Sequence, residues 1–100
     1  MSSNRVDLQV LLVQRDSLRY SPAGIPILGA TLAHSSEQPE AGSTRKVEFE
    51  LPAIFAGKAA QAADRLELGC RLRVNGFLAS KRKQSKLLSL HVTEFELIEV

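Results

Sequence analysis

The spacing of apolar residues along the chain predicts five β-strands. Apolar and polar side chains alternate at the start of the first segment and throughout the third, as expected for strands with one buried face. The other segments are apolar at every second position over most of their length. The predicted strands cover residues 6–15, 25–34, 45–52 and 66–80, and the fifth begins at Leu88.

The segments between these strands have a different composition. Residues 53–66 contain six alanines and recurring apolar positions at helical spacing, which predicts one short helix between the third and fourth strands. The sequence SPAG at residues 21–24 fits a type I turn. Residues 35–44 are polar and rich in turn-forming residues, so a loop is expected there.

Several departures from simple alternation predict local features. Residues 10–13 are apolar on both faces, which indicates a strand covered by a second subunit or by another layer. Gly29 predicts a bulge or a sharp bend in the second strand. In the fifth strand the apolar phase shifts between Val92 and Phe95, which predicts a bulge or a change of packing environment. Phe49 shares a face with two aliphatic residues and is assigned to the core.

Five strands with a single helix between the third and fourth match the order of the OB-fold. This is an all-β, five-stranded Greek-key barrel, whose second and third strands, with the loops after the first and fourth strands, bind oligonucleotides or oligosaccharides. With 100 residues the chain has the length of one domain, so residues 1–100 are expected to form a single OB-fold domain. Cys70 is the only cysteine, which rules out an internal disulfide.

Composition and hydropathy limit the cellular compartments in which the protein is expected. The hydrophobic fraction of 44% is ordinary for a globular protein, and no apolar stretch approaches the ~20 residues of a membrane span. The first ten residues lack the charged-then-apolar layout of a signal peptide. We therefore expect a cytoplasmic protein with no membrane partner.

Positive charge is concentrated in the turn between the fourth and fifth strands. Lys81, Arg82, Lys83 and Lys86 fall within six residues, whereas residues 87–100 carry three glutamates, the last of them Glu99, and no lysine or arginine. This uneven distribution of charge along the chain is more informative about the ligand than the net charge of +2. A basic turn can simply keep a hairpin soluble, but its position in the ligand loop of an OB-fold favours binding of a polyanion.

Other side chains could extend this basic site. Arg19 and Tyr20 lie beside the first turn, and Arg45 and Lys46 enter the third strand. Taken alone, Arg19 or Arg45 fits an ordinary solvated surface charge. The predicted site for single-stranded DNA comprises Arg19, Tyr20, Arg45, Lys46, Lys81, Arg82, Lys83 and Lys86.

Aromatic platforms, on which unpaired bases stack, are few in this chain. Of five aromatic residues, only Tyr20 and Phe77 are candidates, and Phe77 fits a subunit interface better. Each stacked base contributes roughly 1–3 kcal/mol, so binding should be weak, independent of sequence and dominated by charge. Neutralising about four phosphates predicts a slope of log K against log salt near −3.

The sequence contains no recognisable catalytic constellation. His34 and His91 have no cysteine or carboxylate partner at metal-ligand spacing, and His91 is predicted to face outward from its strand. The phosphate-binding, zinc-protease and nucleophile-elbow motifs are missing. The prediction is a binding protein without catalytic residues, metal or cofactor.

An ordered set of short motifs resembles the primosomal replication protein N (PriB) family. The set comprises NR at 4–5, SPAGIP at 21–26, EAG at 40–42, LP at 51–52, NGFL at 75–78 and FELIE at 95–99. The passage from residue 65 to 78 also resembles bacterial single-stranded-DNA-binding OB domains. The resemblance covers nearly the whole chain. It implies a homodimer that binds single-stranded DNA in the replication-restart primosome and bridges the PriA helicase to loading factors such as DnaT.

The chain departs from that family at two positions. Family members usually carry aromatic residues around the loop before the third strand and on its exposed face, where this chain has Ser43 and Glu48. A second hypothesis therefore stays open: an OB-fold adaptor that binds other proteins, with weak or no physiological DNA binding. In that case the basic turn would dock on an acidic protein surface. An oligosaccharide-binding role fits poorly, because such sites use aromatic platforms and the chain lacks tryptophan.

Overall fold

The computed structural model describes residues 1–98, so Glu99 and Val100 lie outside the described residues. Its elements are six strands and one helix. They are β1 (Val6–Arg15), β2 (Arg19–Tyr20), β3 (Pro26–Glu40), β4 (Ser43–Ala56), α1 (Lys58–Ala63), β5 (Arg71–Ser80) and β6 (Leu88–Ile98). Within residues 1–98, no helix has both the length and the apolar character that a membrane crossing requires.

Five of these strands close into a barrel, which confirms the predicted OB-fold. The strand order is β1-β5-β6-β4-β3, and β1 also pairs with β3, so the sheet has no open side between its first and last strand. The first half of β1 pairs with β5 and the second half with β3. Strands β4 and β6 run parallel, and α1 lies between β4 and β5 along the chain. The two-residue strand β2 extends the edge beside β3.

The core fills the barrel with side chains from alternate positions of all five long strands. Phe55 is completely buried and meets Phe95 edge to face, with ring centroids 5.5 Å apart. Ala60 and Ala63 of α1 cover one end of this core. The largest fully buried side chains are Phe55, Leu12, Leu28, Leu32, Leu72, Leu90 and Val74.

The predicted loop at residues 35–44 is wrong, because most of it belongs to a long hairpin. Strand β3 continues to Glu40 and β4 begins at Ser43, which leaves only Ala41 and Gly42 as the turn. Both turn residues have positive φ, as two-residue hairpin turns require. From residue 35 outward both strands are largely solvated, so the hairpin projects beyond the barrel.

Two further predicted elements and one predicted core residue need correction. The helix is shorter than 53–66, because residues 53–56 pair with β3 as strand, and Gly57, with φ +68°, turns the chain into α1. The fourth strand begins at Arg71 and not at residue 66. Phe49 is not a core residue: it lies on the projecting hairpin with 39% of its surface exposed. It stacks on His34 with ring centroids 5.0 Å apart.

Bulges occur in β1 and β6 and not at Gly29. The pairing of β1 with β3 shifts between Leu12 and Gln14, whereas the register through Gly29 is regular. The bulge predicted in the last strand is confirmed: Asn75 pairs with Glu94, Gly76 pairs with Val92, and the residue between them on β6 is extra. This bulge accounts for the shifted apolar phase of β6.

Candidate nucleic-acid interface

The four cations of the predicted basic turn lie on an exposed loop between β5 and β6. We call residues 81–87 the basic loop. Its ends are joined by a hydrogen bond from the amide of Lys81 to the carbonyl of Leu87, 2.7 Å long. A second bond, from Ser85 to the carbonyl of Arg82, closes the turn at its tip. Among residues 1–98, no salt bridge involves the loop cations.

The basic loop adjoins a shallow groove on the outer surface of the barrel. Strands β1, β3 and β4 form its floor, and Lys81 lies at its rim. Gly29 pairs with Ile54, and Thr31 pairs with Pro52, so these two rows cross the floor side by side. The side chains of Thr31, Pro52 and Ile54 point outward, because their neighbours along each strand are buried in the core. The loop and the groove therefore form one continuous surface.

The structure places Arg19 and Tyr20 near this groove but on different faces. Arg19 pairs with Ile27. Ile27 is two residues from Gly29 along β3, so alternation places both residues on the outer face of the barrel. Tyr20 pairs with Pro26, so its ring belongs to the opposite face of the edge strand, where 61% of its surface is exposed. Arg19 can extend the basic surface, whereas Tyr20 does not face the groove floor.

Arg45 and Lys46 are not brought together with the basic loop. Both lie on the projecting hairpin, and Lys46 is six residues along β4 from Pro52, about 20 Å at the rise of a strand. Each is paired with a glutamate of the same hairpin at 3.1 Å, Arg45 with Glu40 and Lys46 with Glu48. These pairs are exposed and reduce the positive charge that either residue presents.

Two exposed aromatic rings, those of Phe49 and Phe77, are already stacked on histidines. Phe77 lies parallel to His91 on the outer face of β5 and β6, with ring centroids 5.0 Å apart, which agrees with the predicted outward side chain of His91. Phe49 stacks on His34, and the His34 ring is itself fixed by hydrogen bonds of 2.8 Å to the carbonyl of Gln9 and to Ser36 Oγ. A base would have to share or displace these contacts. Positive charge, and not exposed aromatic surface, is therefore the main feature that this interface presents to a nucleic acid.

Sequence reasoning did not identify the uncharged and acidic residues of the groove. Gln14, Asp16 and Thr31 line it together with Lys81. The backbone of Asp16 donates a 2.9 Å hydrogen bond to the carbonyl of Gly29, which holds this carboxylate at the groove. These residues could have been found from their position, because alternate residues of the second strand of an OB-fold face its ligand. Such a prediction requires the pairing register of the strands, which cannot be obtained from composition.

Comparisons with known proteins agree with this geometry. Residues 4–94 match the model of a family described as another single-strand binding protein family. The replication restart protein PriB of Nitrosomonas europaea is 36% identical over 98% of this chain and 91% of its own length. The solved structure of PriB from Ralstonia solanacearum superposes with a TM-score of 0.90 at 40% identity, over 98% of this chain and all of that one.

A more distant neighbour has the same barrel. The single-stranded DNA binding protein of Thermus aquaticus superposes with a TM-score of 0.75 at 27% identity, covering 97% of this chain and 50% of that protein. The shared fold, the family match over residues 4–94 and the 36% identity to a PriB protein along nearly the whole chain all indicate the same family. The chain belongs to the PriB family of single-strand binding proteins.

Proposed function

We propose that this protein binds single-stranded DNA in replication restart through the groove and the basic loop. The observation that carries the proposal is the position of Lys81, which belongs to the loop and also lines the groove. Cations that follow the phosphates are one of the two usual means of holding an unpaired strand. Arg82, Lys83 and Lys86 continue this charge along the exposed loop.

Binding in this proposal depends mainly on counterion release. The loop cations are exposed, so their charge is available to phosphates. Stacking contributes less, because Phe49 and Phe77 are engaged with histidines and Tyr20 faces away from the groove. The expected binding is weak, tolerant of sequence and steeply dependent on salt. It requires no catalytic group, metal or cofactor, so we propose that the protein acts by binding alone.

A titration of fluorescent oligo-dT over a range of salt concentrations tests the proposal. For the unaltered protein, log K should fall with log salt at a slope of about −3, the value for roughly four neutralised phosphates of a single strand. Replacing Lys81, Arg82, Lys83 and Lys86 with alanine should bring the slope close to zero and weaken binding at low salt. An unaltered slope in this variant would overturn the assignment of the loop.

A second candidate function is that of a protein-binding adaptor. The observation that favours it is the small stacking area: Glu48 and Ser43 are exposed where aromatic platforms would add affinity for bases. In this case the basic loop docks on an acidic surface of a partner. The quadruple alanine variant separates the two functions, because the adaptor role predicts that DNA binding persists while stimulation of the PriA helicase is lost.

We also propose a homodimer that works in the cytoplasm with PriA and a DnaT-like loading factor, each copy forming a single domain over residues 1–100. The names of the relatives support the replication-restart setting. Leu11 and Val13 support dimerisation, because both point outward from β1 with about two fifths of their surface exposed. Sedimentation at low concentration tests this, and a stable 10.9 kDa species would contradict it.

A further inference from the structure

The outer face of β3 and β4 does not end at the groove. Beyond the row formed by Thr31 and Pro52, the same face continues onto the projecting hairpin. We call this continuation the distal face. Its three rows are Ala33 with Glu50, Ser35 with Glu48, and Glu37 with Lys46. A nucleic-acid strand that left the groove along these strands would run over the distal face.

The distal face is net negative. Its rows carry three carboxylates against one cation, Lys46, which is already paired with Glu48 at 3.1 Å. Arg71 of β5 adjoins Ala33 and Ser35, and with Arg71 included the balance is still negative. Among residues 1–98, no salt bridge involves Glu50. The balance of charge therefore reverses along one continuous surface. The basic loop outweighs the Asp16 carboxylate at the groove, whereas carboxylates outnumber cations on the hairpin.

Distance makes this reversal relevant to a bound strand. Glu50 is two residues from Pro52 and Glu48 is four, about 7 Å and 13 Å along β4. Both lie close to one Debye length, about 10 Å at 0.1 M salt, from the groove floor. A phosphate moving past the groove would meet the field of Glu50 before that of any hairpin cation.

We infer that Glu48 and Glu50 form an electrostatic boundary that ends the DNA track and limits the number of nucleotides bound per chain. This inference rests on the proposed function, because it has no meaning unless the groove binds single-stranded DNA. The boundary acts by repulsion, so it requires no ligand on the hairpin. It predicts a short site that stops where β3 and β4 leave the barrel.

The test is the double variant Glu48→Gln/Glu50→Gln, titrated with oligo-dT of increasing length at low salt. Removing a carboxylate about 7 Å from a phosphate should strengthen binding by about threefold when screening is weak. The gain should be larger for long oligonucleotides than for those that fill only the groove, whose phosphates also lie within a Debye length of Glu50. At saturation, the variant should also occlude more nucleotides per chain. Glu50→Gln alone should show part of the gain without releasing Lys46.

Glu94→Gln/Glu96→Gln is the matched control. It changes the net charge equally, but its residues lie on the outer face of β6 opposite Asn75 and Arg73. The control should leave the occluded site unchanged, and circular dichroism should show that both variants are folded. Equal effects of the two double variants, or an unchanged site size in the first, would overturn the boundary.

The outcomes separate this inference from the proposed function. If the unaltered protein binds with a loop-dependent salt slope but the distal variant changes nothing, only the boundary fails. If the unaltered protein shows no loop-dependent binding, the proposed function fails and the boundary fails with it.

Discussion

The backbone of Gly76 lies directly against the carbonyl oxygen of His91 on the neighbouring strand. A Cβ atom at residue 76 would be 1.9 Å from that oxygen and 3.1 Å from the Cα of Val92. This close approach occurs at the β6 bulge, where the hydroxyl of Thr93 donates a 3.1 Å hydrogen bond to the carbonyl of Asn75. The bulge lets β6 turn both Val92, before the irregularity, and Phe95, after it, toward the core.

Gly76→Ala should destabilise the protein, because the obstructing atoms belong to the backbone and cannot move aside cheaply. Overpacking of this kind typically costs about 1–3 kcal/mol. Urea unfolding would measure the loss. Gly29→Ala is the control: its new Cβ would be 2.6 Å from the carboxylate of Asp16, the end of a flexible side chain. A loss for Gly29→Ala as large as that for Gly76→Ala would contradict this explanation.

Most of the barrel could be predicted from sequence because its strands have one buried face. Alternation reflects burial, so it identified both ends of β1, the start of β3 to within one residue and the end of β5, but it placed the start of β5 five residues too early. In the hairpin, the β3 arm at residues 35–40 was missed, since it is polar on both faces and shows no apolar alternation. The β4 arm was predicted from residue 45 because it does alternate. That alternation also led to the wrong assignment of Phe49, since the pattern continues past the point where the core ends.

The candidate site could be predicted only where it is contiguous in sequence. Lys81 and its neighbours form a charge run that is visible without a structure. Asp16 and Thr31 join Lys81 only through the pairing of β1 with β3 and the path of the basic loop. The pairing of Lys46 with Glu48 likewise depends on side-chain geometry. Composition therefore indicated the sign of the surface but not its extent.

Arg15→Ala should lower the free energy of unfolding. The guanidinium group donates hydrogen bonds to the carbonyls of Ala63, Asp64 and Leu66, where the chain leaves α1. The carbonyl of Ala63 also accepts from the amide of Leu66, so the guanidinium group serves mainly the carbonyls of Asp64 and Leu66, which lie beyond the last helical turn. Hydrogen bonds from a charged donor contribute about 1.5–3 kcal/mol, so a loss of about 2 kcal/mol is expected in urea unfolding.

Two variants separate the Arg15 hydrogen bonds from the effect of charge. All three bonds come from Nη1 of Arg15. Arg15→Lys retains the charge, but its side chain is one bond shorter, so it should recover only part of the loss. Arg65→Ala removes an exposed cation from the same region and should change the stability little. Full recovery by lysine would show that charge alone matters at this position.

Because Asp7 forms an ion pair with Arg73, the free energy of unfolding should decrease slightly at acid pH. Arg73 donates from Nε and Nη2 to the two carboxylate oxygens, at 3.1 Å and 2.8 Å, and these bonds lower the pKa of Asp7 below its usual 3.8. A carboxylate with a lowered native pKa stabilises the fold above its unfolded pKa. That contribution is lost as the pH falls through the native value.

Nuclear magnetic resonance titration of the Asp7 carboxyl group provides the measurement. Its midpoint should lie below 3.8 in the unaltered protein and return toward 3.8 in Arg73→Gln. The stability curves of the two proteins should converge as the pH falls below the native pKa. Because the pair is exposed, the difference at neutral pH should be small. A midpoint that does not move in the variant would show that Arg73 is not the cause.

The loop cations should contribute more to DNA binding than the hairpin cations. Lys81→Ala/Arg82→Ala and Arg45→Ala/Lys46→Ala each remove one lysine and one arginine, so they change the net charge equally. The loop variant should reduce the steepness of the salt dependence by about 1.4, the value for two single-strand phosphate contacts. The hairpin variant should leave the slope nearly unchanged, since each of its cations is paired with a glutamate far from the groove. Fluorescence titrations of oligo-dT would measure both slopes, and equal changes would show that only net charge matters.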